Sequence, residues 1–167
     1  MKLREYLKED AAVIVSWIKN EEELYKWSAT IYGKYPLTAD DIDANYSGAV
    51  KSGRFFPLTA IDEDGKAVGH FIIRYPSPED NTSVRFGFVI VDPDIRGKGY
   101  GRQMLLLGID YVKEKLGAGR IDLGVFDNNP SARKCYESVG FAEFGSEGHV
   151  CDTPFGAWHC TNLEIFI

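Results

Sequence analysis

The chain is predicted to fold as one α/β domain, more strictly α+β, with a single mixed sheet flanked by helices. Three observations carry this. Strand and helix signals follow in the order β-α-α-β-β-β-α-β-α-β-β, too interleaved for separate all-α and all-β units. The 167 residues, 44% of them hydrophobic, suffice for one sizeable core. No repeat, low-complexity stretch or linker interrupts them.

Lys2 to Leu7 reads as a short strand. Asp10 is expected to cap a helix whose Ala11, Ile14, Val15 and Ile18 recur at helical spacing, closed by Trp17 and Lys19-Asn20. Glu21 to Trp27 is a second short helix or a turn, and Ser28 to Leu37, with Gly33 and Pro36, is loop. Thr38 caps a helix from Ala39 to about Lys51 with acids in its first turn. Phe56 to Asp62 and Ala67 to Tyr75 form a hairpin through Asp62-Glu63-Asp64-Gly65. After a polar turn, Thr82 to Val91 is apolar on both faces, as a covered central strand is, and Gly87 marks a bulge or a close approach. A helix follows from about Gly99 to Leu116, with Leu105, Ile109, Val112 and Leu116 as its core stripe. Arg120 to Phe126 is a strand, and Pro130 opens a helix that Gly140 ends. Phe141 to Phe144 and Trp158 to Ile167 are the last strands, with an irregular loop between them.

Composition excludes several functions. A net charge of −6 argues against a nucleic-acid binder, which carries a basic stripe. No apolar run approaches the roughly 18 residues that cross a bilayer, and the opening Met1-Lys2-Leu3-Arg4-Glu5 is no secretion signal; the cytoplasm is the expected location. Cys135, Cys151 and Cys160 read as reduced thiols. With His149 and His159 they lack the paired spacing of zinc sites, so no metal is expected.

One segment carries chemistry. Arg96-Gly97-Lys98-Gly99-Tyr100-Gly101-Arg102 lies between an apolar strand and a helix start. Glycines admit a close backbone approach, and helix-start amides with the positive dipole end favour a phosphate. The glycines are spaced G-x-G-x-G rather than G-x-G-x-x-G, and the P-loop pattern is absent, so neither a dinucleotide nor a mononucleotide fits. A tight turn beside a solvated charge run is the plainer alternative.

Two spaced motifs resolve that choice. Arg96 to Gly101 resembles the R/Q-x-x-G-x-G/A motif of the GNAT family of acetyl-CoA-dependent N-acetyltransferases. Asn129-Pro130-Ser131-Ala132-Arg133-Lys134-Cys135-Tyr136-Glu137-Ser138-Val139-Gly140-Phe141 is similar to the family's N-x-x-A-x-x-x-Y-x-x-x-G-F. The opening, with Arg4, Glu9-Asp10 and Trp17, also resembles the family's first strand and helix, and the element order matches nearly end to end. The resemblance implies a mostly antiparallel sheet whose splayed strands form an acyl-CoA groove. It implies that amides from Gly97 through Lys98, Gly99, Tyr100 and Gly101 to Arg102, with Arg96, hold the coenzyme A pyrophosphate. Val89, Ile90 and Val91 would pair with the pantetheine arm and offer an N–H to the oxyanion. Asn129 and Ala132 would border the cofactor, and Tyr136 would stand near the thioester sulfur as general acid. Asn129 also suits a helix cap, and Tyr136 a packed aromatic. Acetyl-CoA is the implied co-substrate and an amine the acceptor, with no nucleic acid or membrane partner. Dimers are common in the family, though no interface stripe stands out here.

The chain departs from the family in one respect. Many members place a glutamate on the fourth strand to deprotonate the amine; here Ser83-Val84-Arg85-Phe86-Gly87 has no carboxylate. Glu22, Glu23, Glu143 and His159 are the substitutes the sequence offers. An α-amine of pKa about 8 needs less help than a lysine near 10.4. The Trp-rich N-terminal stretch resembles the branch that acetylates ribosomal-protein N-termini, and the absent carboxylate also suits a non-catalytic acyl-CoA sensor. Tyr25 to Tyr35 and the His149 to Trp158 loop are the expected acceptor walls.

Overall fold

The computed structural model describes residues 1–145 and 148–167. One sheet runs through them in the order β1-β2-β3-β4-β5-β8-β6, with β7 also on β8. Its strands are β1 (Lys2–Glu5), β2 (Phe55–Ile61), β3 (Ala67–Arg74), β4 (Ser83–Val91), β5 (Arg120–Phe126), β6 (Ala142–Glu143), β7 (His149–Thr153) and β8 (Gly156–Phe166). Every pairing is antiparallel except β4 with β5. The helices are α1 (Asp10–Trp17), α2 (Glu21–Ser28), α3 (Ala39–Val50), α4 (Tyr100–Tyr111) and α5 (Pro130–Glu137). A wider turn, Val112–Leu116, extends α4, its last bond running from the Gly117 N–H to the Val112 carbonyl.

The helices cover the sheet from both faces. The larger core gathers Phe71, Phe86, Met104, Leu105, Ile121 and Leu123 beneath α4 and α5. The second gathers Ile14, Trp17, Ile42, Tyr46, Phe88 and Ile90 beneath α1 and α3. A third, smaller cluster of Tyr25, Phe126, Trp158 and Cys160 joins α2 to the far end of β5 and β8.

Local chemistry sets most boundaries. Thr38 and Asp41 exchange side-chain and backbone bonds in a capping box that starts α3. The Asp62 carboxylate accepts from the Asp64 and Lys66 amides and shapes the β2–β3 turn. Asp10 does not cap α1 with its side chain, contrary to the expectation; it is the first helical residue and is buried. Its carboxylate takes both guanidinium nitrogens of Arg4 at 2.6 and 2.7 Å, the Thr59 hydroxyl at 2.8 Å and the Leu7 amide at 2.9 Å. It therefore fastens α1 to β1 and β2. The expected loop from His149 to Trp158 is also corrected: it forms the β7–β8 hairpin, turning at Thr153 to Gly156.

His70 on β3 is fully buried and bonds the Tyr46 hydroxyl at 2.9 Å. Burial holds its pKa down to about 3, against the opposing pull of Asp10. The unfolded imidazole titrates near 6.5. Below that pH the unfolded chain takes up a proton that the folded chain refuses. The stability His70 confers is thus complete above about pH 6.5 and is lost as pH falls toward 3. Urea denaturation across this window is expected to show a slope component of about 1.4 kcal/mol per pH unit, which His70→Gln removes. Asp10 adds its own loss only below the range of an unfolded carboxylate, about pH 4.

Candidate active site

Strands β4 and β5 part company after three residue pairs. Ser83, Val84 and Arg85 face Arg120, Ile121 and Asp122 in parallel register, and no pair follows. Beyond that point β4 from Phe86 to Val91 has no strand partner on the β5 side, which leaves an edge where backbone groups not taken by β3, Trp27 or Arg96 can meet a ligand. Arg85 sits at the apex of the fork. Its guanidinium is in a salt bridge with Asp122, reaches Asn162 at 3.3 Å, and fills the space over Gly124, where a Cβ would meet Nη2 at 2.9 Å. Arg85 therefore braces the divergence from below, which accounts for a cation at this strand position.

A bulge re-aims β4 in the middle of the fork. The register against β3 shifts between His70 and Ile72, which oppose Ile90 and Gly87. The residue in left-handed conformation is Phe88, at φ 51°, rather than Gly87. Trp27 holds it there: its Nε1 donates to the Phe88 carbonyl at 2.8 Å, and its ring lies 5.1 Å from that of Phe88 and stacks on Tyr32 at 5.8 Å. Before the bulge Val84 and Phe86 enter the larger core; after it Phe88 and Ile90 enter the second.

The fork opens into a groove of about 610 Å³. At one end is the glycine loop. Gly97 and Gly99 have φ of +77° and +85°, and a Cβ at either would meet nothing within 4 Å. Gly99 caps α4, and no side chain caps the helix's first amides. Arg96 and Arg102 line the groove with Gly97, Gly99 and Gly101, and Arg96 is steadied by a bond from Nε to the Val91 carbonyl at 3.2 Å. Lys98 and Tyr100 lie outside it: Lys98 is exposed, and Tyr100 packs toward the larger core. Open glycines, two arginines and helix-start amides fit a pyrophosphate.

The opposite wall is α5 with β5. Val89, Ile90, Val91, Asn129, Ala132 and Tyr136 all line the groove. Asn129 caps α5, its Oδ1 accepting from the Ala132 amide at 3.3 Å. Tyr136 is buried to 7% exposure in the fork. Burial first, then the neighbouring thiols of Cys135 and Cys160, raise its pKa well above the ordinary phenol value, so the hydroxyl keeps its proton at any physiological pH. Cys135, behind Gly101, is likewise pushed up by burial; a protonated thiol is a poor nucleophile.

Helix α2 closes the remaining end with Glu23, Lys26 and Trp27, beside Ile18 and Phe88. Of the four substitute bases, the structure brings only Glu23 to the groove. Glu22 pairs with Lys26 at 2.8 Å, Glu143 pairs with Arg133 at 2.8 Å, and His159 is an exposed residue opposite Val150. Trp17 is core, at 4% exposure. Lys26, Ser131, Lys134, Leu123 and Gly124 also line the groove and were not singled out in the sequence. The signal for Gly124 was present, a glycine inside a strand pattern. No helix among the described residues is long and apolar enough to cross a membrane, and no cluster of three or more metal-ligating side chains occurs among them.

Comparison with known proteins agrees with this geometry. Mycothiol acetyltransferase of Rhodococcus jostii is 30% identical over 97 residues, covering 58% of this chain and 32% of that protein. An uncharacterised N-acetyltransferase of Bacillus subtilis, YycN, is 40% identical over 58 residues, covering 35% of this chain and 36% of that one. The chain thus spans about a third of the length of these relatives. Spermidine N-acetyltransferase from Vibrio cholerae, solved with CoA and spermine, superposes with a TM-score of 0.82 over 99% of this chain and 94% of that one; at 20% identity this is likeness of fold. The family profile described as Acetyltransferase (GNAT) family matches residues 21–141, which takes in α2, the splayed strands, the glycine loop and the Tyr136 helix, and the chain belongs to that family.

Proposed function

We propose that the chain transfers the acetyl group of acetyl-CoA directly to a primary amine. The observation that carries this is the fork itself: an unpaired strand edge leads from a glycine-rich cationic loop to a buried, protonated tyrosine. Acetyl-CoA supplies an activated acyl group as a thioester. Amides from Gly97 to Arg102 bind its pyrophosphate, with Arg96 and Arg102 offsetting charge. The open edge of β4 bonds the amides of the pantetheine arm as a neighbouring strand would. An amide from Val89 to Val91, fixed beyond the bulge, donates to the carbonyl oxygen as it gains charge. Asn129 orders the start of α5, and Tyr136 protonates the departing sulfur.

A polyamine, a small α-amine and a protein N-terminus all remain acceptors of the right chemistry. A homo-oligomer belongs to the same proposal, since the Vibrio cholerae enzyme has been solved as a dodecamer. Thermal unfolding with acetyl-CoA, CoA, ATP and NAD tests the cofactor. At about 100 times Kd a ligand adds roughly 2.7 kcal/mol, or several degrees. A shift with acetyl-CoA and CoA alone, followed by thiol release with an amine, is the expected result. A shift without release by any amine favours the sensor, and a shift with ATP or NAD in place of CoA overturns the assignment.

A further inference from the structure

We infer that Glu23 receives the ammonium group of the acceptor and takes its proton, and that the acceptor carries that group on an apolar skeleton. The inference rests on the transferase reading above. Five charged side chains line the groove among the described residues: Glu23, Lys26, Arg96, Arg102 and Lys134. Glu23 is the one anion. Two of the cations, Arg96 and Arg102, stand with the glycine loop, where phosphates would neutralise them, and Lys26 is paired with Glu22. An incoming ammonium therefore has one carboxylate to meet.

The position of Glu23 suits the task. It lies one helical turn before Trp27, so the two side chains share a face of α2. Trp27 is tied to the Phe88 carbonyl at the bulge, beside the strand edge where the thioester would lie. The Glu23 carboxylate is itself placed, with Oε2 accepting from the Lys19 amide at 2.9 Å, and its other oxygen has no such partner among the described residues. Ile18, Trp27 and Phe88 line the same groove with apolar surface, which fits a hydrocarbon or aromatic skeleton on the amine. The strand position that serves as base elsewhere in the family is closed to this role, because Arg85 occupies it and is bound to Asp122.

The proton balance is complete. The ammonium R–NH3⁺ gives one proton to the Glu23 carboxylate, which later loses it to solvent. The neutral amine forms its C–N bond to the acyl carbon as the carbonyl π pair moves to oxygen. When that pair returns, the C–S bond breaks and sulfur leaves with its electrons. Sulfur takes the Tyr136 proton, and the second amine proton restores the phenol. The sum is an amide, a free thiol and one released proton.

The test uses the full chain with acetyl-CoA and phenethylamine, spermidine and glycinamide as acceptors, followed by thiol release. Phenethylamine is expected to give the highest kcat/KM. Glu23→Gln keeps the bond from Lys19 and is expected to lower kcat about 10²-fold, to leave the acetyl-CoA thermal shift unchanged, and to move the acid limb of the pH–rate profile up toward the pKa of the free amine. Glu23→Asp is expected to keep the wild-type limb at reduced rate. Turnover by the wild type with Glu23→Gln within about threefold and the limb intact overturns the role of Glu23 while leaving the transferase reading standing. A preference for spermidine or glycinamide overturns the apolar skeleton. Binding of acetyl-CoA with no turnover of any of the three amines overturns the transferase reading and this inference with it.

Discussion

Gly99→Val is expected to abolish the thermal shift given by CoA and acetyl-CoA while the chain still folds. Gly99 sits at φ +85°, the left-handed region, where a β-branched residue costs roughly 1–2 kcal/mol. That is a fraction of the stability of a domain this size. The larger effect is on binding. The space where a Cβ would point is open now, with no atom within 4 Å, and it borders the first amides of α4. If a pyrophosphate occupies it, a valine both displaces the anion and tilts the amides that hold it. A loss of at least 10²-fold in affinity, about 2.7 kcal/mol, is expected, enough to erase the shift at ligand concentrations that saturate the wild type. Gly65→Val is the matched control: it has a similar φ of +81°, also meets nothing within 4 Å, and lies in the β2–β3 turn without lining the groove. It pays the strain and should keep the shift. If Gly99→Val binds CoA as the wild type does, the loop is only a turn into α4.

The contrast between the loop and the rest of the site shows what the sequence made legible. The loop was readable because its requirements are local. Positive φ at Gly97 and Gly99 favours glycine for local steric reasons alone. The same holds for the Thr38 capping box and the Asp62 turn, each satisfied within a few residues. The fork was anticipated only through family resemblance, because nothing in Ser83 to Val91 says where its parallel partner stops. Gly87, read as marking a bulge or a close approach, borders the bulge and stands close to Ile72, but the left-handed residue is Phe88, which no local signal marks because what holds it is a bond from Trp27, 61 residues earlier. Arg85 was an anomaly in the sequence and becomes a brace once Asp122 stands beside it. β7 was missed because His149-Val150-Cys151-Asp152-Thr153 is an edge strand with most of its residues exposed, so burial imposed no alternation. Glu23 could not be chosen over Glu22 from sequence: the two differ only in which side of α2 meets the groove, and that depends on how α2 docks on β4.

Tyr136→Phe is expected to lower kcat about 10²-fold with little change in KM for acetyl-CoA. The ring is most of the residue's contribution to the fold. It lies in the larger core, with Phe141 edge-on at 6.3 Å, and phenylalanine preserves both. Removing the hydroxyl therefore tests chemistry with small consequences for packing. The buried phenol is a weak acid, its pKa raised first by burial and then by the two nearby thiols, so it keeps its proton in the resting enzyme. A thiolate forming in the same desolvated space gains basicity from the same burial, as the Cys135 and Cys160 thiols do, and can then take that proton. General acid catalysis is worth roughly 10²–10⁴-fold, and a thiolate that leaves fairly well unaided places the loss at the low end, about 2.7 kcal/mol of barrier. The raised pKa adds a second readout. No loss of rate from Tyr136 ionisation should appear up to about pH 10, where an ordinary tyrosine is already half ionised. The Glu23→Gln and Tyr136→Phe defects should also differ in kind: the first moves the acid limb up toward the amine pKa, and the second lowers the whole profile. A Tyr136→Phe enzyme within about threefold of wild-type kcat would reduce Tyr136 to a packed aromatic and leave the sulfur to be protonated by water.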